Sequence, residues 1–442
     1  MSTLRAGVAS RDITPPVGVD LTGYGGRPTG CTSIHDPLYA RALALTDGDA
    51  TVVLVSMDVL GISFELRDRL RERAMASGLP PAALVLNASH THAGPATQRL
   101  RGLGEPDDAY VELFASLTTD AIEAALHDVE PARMDMTRVP ALIGHNRRQH
   151  RPDGRTVLGH NRVGAVVPHA DVLRVHRTDG SRLATWFAHA CHPTTLGGDN
   201  LAVSAEFPGV AVRDTEQLHG GTALFAQGCC GDINPTQRGT FEAVEENGRT
   251  LAAAVAAATA AGKSEATDVT LASHIHVADA SLRPAPPQDE LDARIAQFQA
   301  DAVEGVRAGV DRGRQRMLDA AVEWATEVRA VAYSGREAPR TLPFEVQAVR
   351  IGDAALVTMP GEVFADIGAR IEAASPFRQT TALGYTNGCH GYVPTAAAYA
   401  EGGYEVDDAI RYYGSLMFAP ASESEILTAA AQALGAVSGE TA

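Results

Sequence analysis

Lysine is nearly missing from this chain. One, Lys263, stands among 442 residues, between alanine-rich and polar segments. A Schiff-base mechanism needs a lysine amine, and nothing beside Lys263 in sequence reads as a buried pocket. Positive charge is scarce altogether. The formal net charge is −17, and the only basic cluster is Arg147, Arg148 and Arg151. That is too small for a phosphate track, which excludes nucleic acid as a partner. The same acidity works against anionic membrane surfaces. Aromatic residues make up 5%, so no interfacial aromatic anchor stands out. Five cysteines (Cys31, Cys191, Cys229, Cys230 and Cys389) are an odd number, and none falls in a CxxC pair. A disulfide scaffold and a thiolate zinc cluster are both disfavoured. No run of 18 apolar residues occurs, and the opening MSTLRAGVASRDITPPVG has no apolar leader core. The expectation is a cytoplasmic protein, without a membrane span or stable membrane association, acting on a small molecule.

What is present is a pattern repeated three times: an apolar run, a polar loop, a helical stretch, a second apolar run, a second polar loop. In the first unit Thr51–Met57 reads as a buried strand. A helix over about 63–77 follows, and a strand over 83–86 opens into NASHTHAGP. In the second, a strand over 182–188 leads to CHPTTLGG, a helix begins near Glu206, and a strand over 222–226 leads to QGCCGDINP. In the third, Ala354–Thr358 leads to MPGEVF, a helix runs to about Glu372, and a strand over 380–383 leads to GYTNGCHGYVP. Apolar runs of this length alternating with helical patterns predict an α/β fold, mixed β-sheets flanked by helices. Functional residues in such folds sit on loops at strand ends. One site drawing on all three units is therefore expected, and three unrelated crossovers are the plainer alternative. Between the second and third units, 288–332 is proline-free and rich in Ala, Glu, Arg and Gln, which predicts a helical insert of one or two long helices. ASLRPAPPQ before it reads as a linker. Ala252–Gly262 reads as a helix end with a glycine stop. The stretch 148–165 reads as a long loop.

Four residues at these loop ends are candidate metal ligands. His90-Thr91-His92 follows a strand directly, and in strand geometry residues two apart face one side, so both imidazoles could face one cavity. His192 stands in AHACHPTTLGG, with His189 as a competitor. Glu362 precedes a helix, where the dipole favours a carboxylate; an exposed helix-start glutamate is the ordinary alternative. Tyr392, in GCHGYVPT, has buried packing as its default role.

Taken together, ITPPVG with GYGG, DPLYARAL, SHTHAGP, GHNRR, HPTTL, GCCGDINP, MPGEVF and GYVPT run in one order from residue 6 to about 415. In this the chain resembles the neutral/alkaline (non-lysosomal) ceramidases, through their N-terminal catalytic domain. The resemblance implies one zinc ion per chain held by His90, His192, Glu362 and Tyr392, a plausible donor set for that metal. It demotes His189. It also places His92, Arg147 and Tyr404 against the substrate or the reacting carbonyl. The sequence departs from the family at GDxSP, where Asn234 replaces the serine. Asparagine is no acyl acceptor, but it can donate to an oxyanion. The expectation is one catalytic domain, 1–442, with no C-terminal immunoglobulin-like domain such as the ceramidases carry. The expected chemistry is hydrolysis of an N-acyl amide by hydroxide generated on the metal, on a substrate smaller or more polar than ceramide. An ester, lactone, sugar or polyol substrate is the alternative, and a metal-stabilised binding protein the most remote one.

Overall fold

The structure, a computed structural model, describes residues 3–258, 265–335 and 337–439. Lys263 and the expected helix-stopping Gly262 lie outside the described residues. Eight strands form the larger sheet, in the order Thr222–Gln227, Arg182–His189, His169–Arg177, Glu130–Pro140, Arg5–Asp12, Tyr39–Thr46, Thr51–Met57 and Leu84–Ala88. Leu271–Ser281, Thr341–Ile351, Ala354–Thr358 and Gln379–Leu383 form a second, four-stranded sheet. The architecture is the expected α/β fold of mixed sheets flanked by helices. Three parallel pairs lie within these two sheets: Thr51–Met57 with Leu84–Ala88, Arg182–His189 with Thr222–Gln227, and Ala354–Thr358 with Gln379–Leu383. These are the three repeated units of the sequence. Each is a β-α-β crossover, through Phe64–Ala76, Glu206–His219 and Ala365–Ala374 respectively.

Local chemistry accounts for these elements. Val52, Val53, Leu54 and Val55 are buried in succession, as befits a strand covered on both faces. Ser63 caps the first crossover helix by accepting the Leu66 N–H at 3.1 Å. The ends of the three units are stitched together by two buried amides. Asn87 Nδ2 donates to the carbonyls of Gln227 (3.2 Å) and Gly384 (3.0 Å). Gln227 Nε2 donates to the carbonyls of Ser89 and Cys191, at 2.9 Å each. Three loops that diverge in sequence thus leave the sheets from one point.

One expectation needs correction. The stretch 148–165 is not a long loop. Gly144–His150 and Thr156–Asn161 pair as an antiparallel hairpin, and Ile233–Pro235 adds a third strand. Charged and histidine side chains in these short strands masked their period. The helical insert is present as two helices, Gln288–Ala308 and Arg312–Tyr333, packed on each other. Gly309 (φ 65) closes the first in a left-handed cap, and Asp311 caps the second.

Candidate functional site

The loop after Leu84–Ala88 does not continue the strand, so the HTH pair does not project by pleat alternation. His90 has φ 67, a conformation a β-branched or bulky side chain rarely adopts. That turn is held by His90 N–H donating to Val59 O at 2.9 Å. The imidazoles still converge: His92 Nε2 lies 3.2 Å from His90 Nε2. His192 arrives from the second unit and is fully buried, with its Nε2 facing the same point.

The tautomers follow from the neighbours. His90 Nδ1 faces Leu60 O at 2.7 Å, and His192 Nδ1 faces Cys230 O at 2.7 Å and Ile233 O at 3.1 Å. A carbonyl only accepts, so each Nδ1 carries its hydrogen and each Nε2 presents a lone pair. Burial, then the Arg147 charge, holds His192 down to about 4, which keeps it neutral. Burial and the two other imidazoles hold His92 well below the usual histidine range.

Glu362 completes the convergence. It lies in the two-residue strand Glu362–Val363, paired in parallel with Tyr392–Val393, three residues before its helix begins. Its carboxylate faces the histidines, and Glu362 is buried, which rules out the exposed helix-start alternative. Its Oε2 is 3.0 Å from His192 Nε2 and 3.5 Å from His90 Nε2. Two lone pairs and a carboxylate oxygen thus meet in a buried space. Arg147 Nη1, at 3.3 Å from His192 Nε2, is the donor there. Such a donor set suits a small divalent cation. His90, His92 and His192 together also form a group of potential ligand atoms.

Arg147 stands behind this cluster and is buried. Its Nη2 donates to Tyr392 Oη at 2.9 Å and its Nη1 to Asn234 Oδ1 at 3.3 Å. Its Nε donates to Glu405 Oε1 at 2.8 Å. The strand pairing of Asn234 opposite His145 sets Asn234 beside Arg147. Thr194 Oγ1 also donates to Asn234 Oδ1, at 3.4 Å. Tyr404 opens a π-helical turn, Tyr404–Asp408, and its ring lies 5.8 Å from that of Tyr392. Arg147 sits 6.0 Å from the Tyr404 ring. Every candidate from the sequence except His189 is therefore in one neighbourhood. His189 is apart: its Nδ1 donates to His169 O at 2.8 Å, and it lines a different, small cavity.

Sequence reasoning missed four contributors. Tyr413 donates to Glu362 Oε1 through a short hydrogen bond, and Tyr385 Oη lies 3.4 Å from Glu362 Oε2. Tyr385 has φ 51, and its ring lies 4.1 Å from that of His90. Glu405 bridges Arg147 and Arg148, receiving Arg148 Nη1 at 2.7 Å. Asp232 accepts the Ala365 N–H at 2.8 Å and so caps the helix that follows Glu362. Asp232, inside the GDINP motif, and Tyr385, inside the loop GYTNGCHGYVP, carried a signal; Tyr413 and Glu405 stand in unpatterned segments.

The family model for neutral/alkaline non-lysosomal ceramidase, N-terminal, matches residues 4–268. Among solved structures, the neutral ceramidase from Pseudomonas aeruginosa superposes with a TM-score of 0.75 at 18% identity. The match covers 99% of this chain and 75% of that one. A ceramidase complexed with C2 matches with the same figures. At this identity the two structures speak for the fold.

Proposed function

This chain belongs to the neutral/alkaline non-lysosomal ceramidase family, a family of amide-bond hydrolases, and from that premise we propose that it is a zinc-dependent hydrolase of N-acyl compounds. One observation carries the reading: two histidine Nε2 lone pairs and Glu362 Oε2 converge in a buried space, with both Nδ1 atoms tied to carbonyls. His90, His192 and Glu362 would hold the ion, with Tyr392 as the phenol ligand beside them. When bound, zinc polarises a carbonyl and lowers the pKa of water.

The remaining roles fall to this chain's own groups. Arg147, kept charged and fixed by Glu405, directs its Nη atoms toward the site and stabilises the oxyanion that forms from the substrate carbonyl. Tyr404 is the second oxyanion donor. Asn234 has its carbonyl oxygen engaged by Arg147 and Thr194, which leaves its amide to donate. His92 is neutral and takes up or delivers the proton of the leaving amine. The immediate surroundings (Arg147, Asn234, Thr194, Tyr404) are hydrogen-bonding groups. That and the lack of a serine at Asn234 favour a substrate smaller or more polar than a two-chain lipid.

His92 supports a second reading of its own role. Its Nε2 is 3.2 Å from that of His90, close enough for it to serve as a third imidazole ligand. Elemental analysis of protein purified without added metal tests both readings. About one zinc per chain is expected, lost when His90 and His192 are both changed to Ala. Retention in His92→Ala keeps His92 as the proton carrier, and loss makes it a ligand. Turnover is then compared on short N-acyl amines, amino acids and sugars, their ester analogues, and a long-chain ceramide in detergent. Efficient ceramide hydrolysis at about 10⁴ M⁻¹s⁻¹ or above would overturn the substrate reading. Absence of any transition metal would overturn the zinc reading.

A further inference from the structure

Glu362 has two oxygens in different company. Oε2 faces His192 and His90. Oε1 receives the Tyr413 hydroxyl. The carboxylate only accepts, so the phenol donates.

Tyr413 is held from several sides. It ends the four-residue helix Ile410–Tyr413. Arg101 Nη1 donates to the carbonyls on either side of it, Arg411 and Gly414, at 3.2 Å each. Trp324 of the helical insert donates to Ser415 O at 3.3 Å. The ring rests on Gly391, where a Cβ would lie 2.9 Å from ring atom Cγ, so no side chain fits at position 391. Gly391 immediately precedes Tyr392, and its carbonyl accepts the Glu362 N–H at 2.8 Å.

We propose that Tyr413 is a positioning residue that fixes Glu362 as a one-oxygen ligand, holding Oε1 back so that Oε2 alone points at the histidines. The inference rests on the zinc reading above. A carboxylate without such a partner can rotate, or offer both oxygens to an ion. Partners of this kind, one bond behind a metal ligand, are worth about 10–100-fold in metal affinity. The arrangement also ties the site to the helical insert, since the insert braces the segment that carries Tyr413.

The test is zinc affinity, measured by competition with a chromophoric chelator on the full chain. Tyr413→Phe keeps the ring on Gly391 and removes only the hydroxyl. It should bind zinc about 10–100-fold more weakly than the parent, while Tyr404→Phe, which loses a hydroxyl that does not touch Glu362, should stay within about twofold. A cycle with Glu362→Asp adds a readout that general destabilisation would not give: Glu362→Asp/Tyr413→Phe should bind no more weakly than Glu362→Asp alone, because the two act through one contact. Parent affinity in Tyr413→Phe, or losses that add across the cycle, would overturn the proposal alone. A parent chain that takes up no zinc would overturn the underlying zinc reading and this inference with it.

Discussion

Histidine and carboxylate identities matter here less than which atom each one presents. His90 and His192 are made into Nε2 donors by carbonyls at their backs, and Arg147 is aimed by Glu405 at its Nε. This separates two kinds of variant. Glu362→Ala should lose the metal, because it removes an oxygen from the convergence itself. Tyr404→Phe should keep the metal and lose turnover by about 10²–10³, as for one oxyanion donor. Metal content and kcat measured on both proteins check the split, and equal metal loss would refute it. Glu405→Gln should behave like Tyr404→Phe in kcat, but for another reason. It leaves the buried Arg147 and Arg148 without their shared carboxylate, and a buried pair broken on one side costs about 3–5 kcal/mol. Its urea midpoint should therefore fall, whereas that of Tyr404→Phe should not.

Ion pairs fasten the helical insert to the rest of the molecule beside the apolar contacts of Met317 and Trp324. Asp20 receives Arg316 Nη1 at 2.5 Å and Arg312 Nη1 at 3.4 Å, and its Oδ2 also accepts the Glu105 N–H at 3.2 Å. Asp20 is buried while Arg312 is half in solvent, so the pairs are unequal and the Arg316 contact dominates. Asp20→Ala should cost about 1–3 kcal/mol and should speed hydrogen exchange in Arg312–Tyr333 while leaving the eight-stranded sheet protected. Uniform loss of protection would show the insert to be no separate unit. Both insert helices were legible in sequence because their periodicity is long and proline-free. The three β-α-β units were legible for a related reason: their strands are unbroken apolar runs ending at Asp58, His189 or Thr358. The hairpin Gly144–His150 and Thr156–Asn161 was not, because its strands carry His, Asn, Arg and Gln on faces shaped by neighbouring polar groups. The site divides the same way. His90, His192, Glu362 and Arg147 sit in recognisable motifs, but Tyr413, Tyr385 and Glu405 act from 23 or more positions along the chain from Glu362, a separation that no local pattern encodes. The geometry of HTH was anticipated for the wrong reason: both rings do face one point, through a left-handed turn at His90 rather than a pleat.

Charge burial gives the molecule two opposed responses to acid. Burial raises Glu206 and Glu372 to about 7 and Asp232 to about 6. Burial lowers His189 and His192 to about 4. A carboxyl raised on folding contributes stability that is fully present below its unfolded value and is lost as pH climbs through the folded one. A histidine lowered on folding contributes stability that is present above about 6.5 and is lost as pH falls toward the folded value. The two sets act with opposite slopes across pH 4.5 to 6.5, so the carboxyls offset part of the histidine slope there. Glu206 is the group to remove. It is buried at φ 59, and its carboxylate accepts the N–H groups of Thr195 (3.0 Å) and Leu196 (2.9 Å), clamping the loop that carries His192. Glu206→Gln keeps one acceptor oxygen and loses the other, which shifts stability by about 1 kcal/mol at every pH. It also removes the ionisation, so relative to the parent it should gain about 3 kcal/mol between pH 4.5 and 7.5. Urea unfolding at both pH values, on both proteins in the same metal state, separates the constant offset from the slope. A difference that stays constant with pH would mean that Glu206 is ionised in the folded protein throughout this range and that its clamp works as a carboxylate.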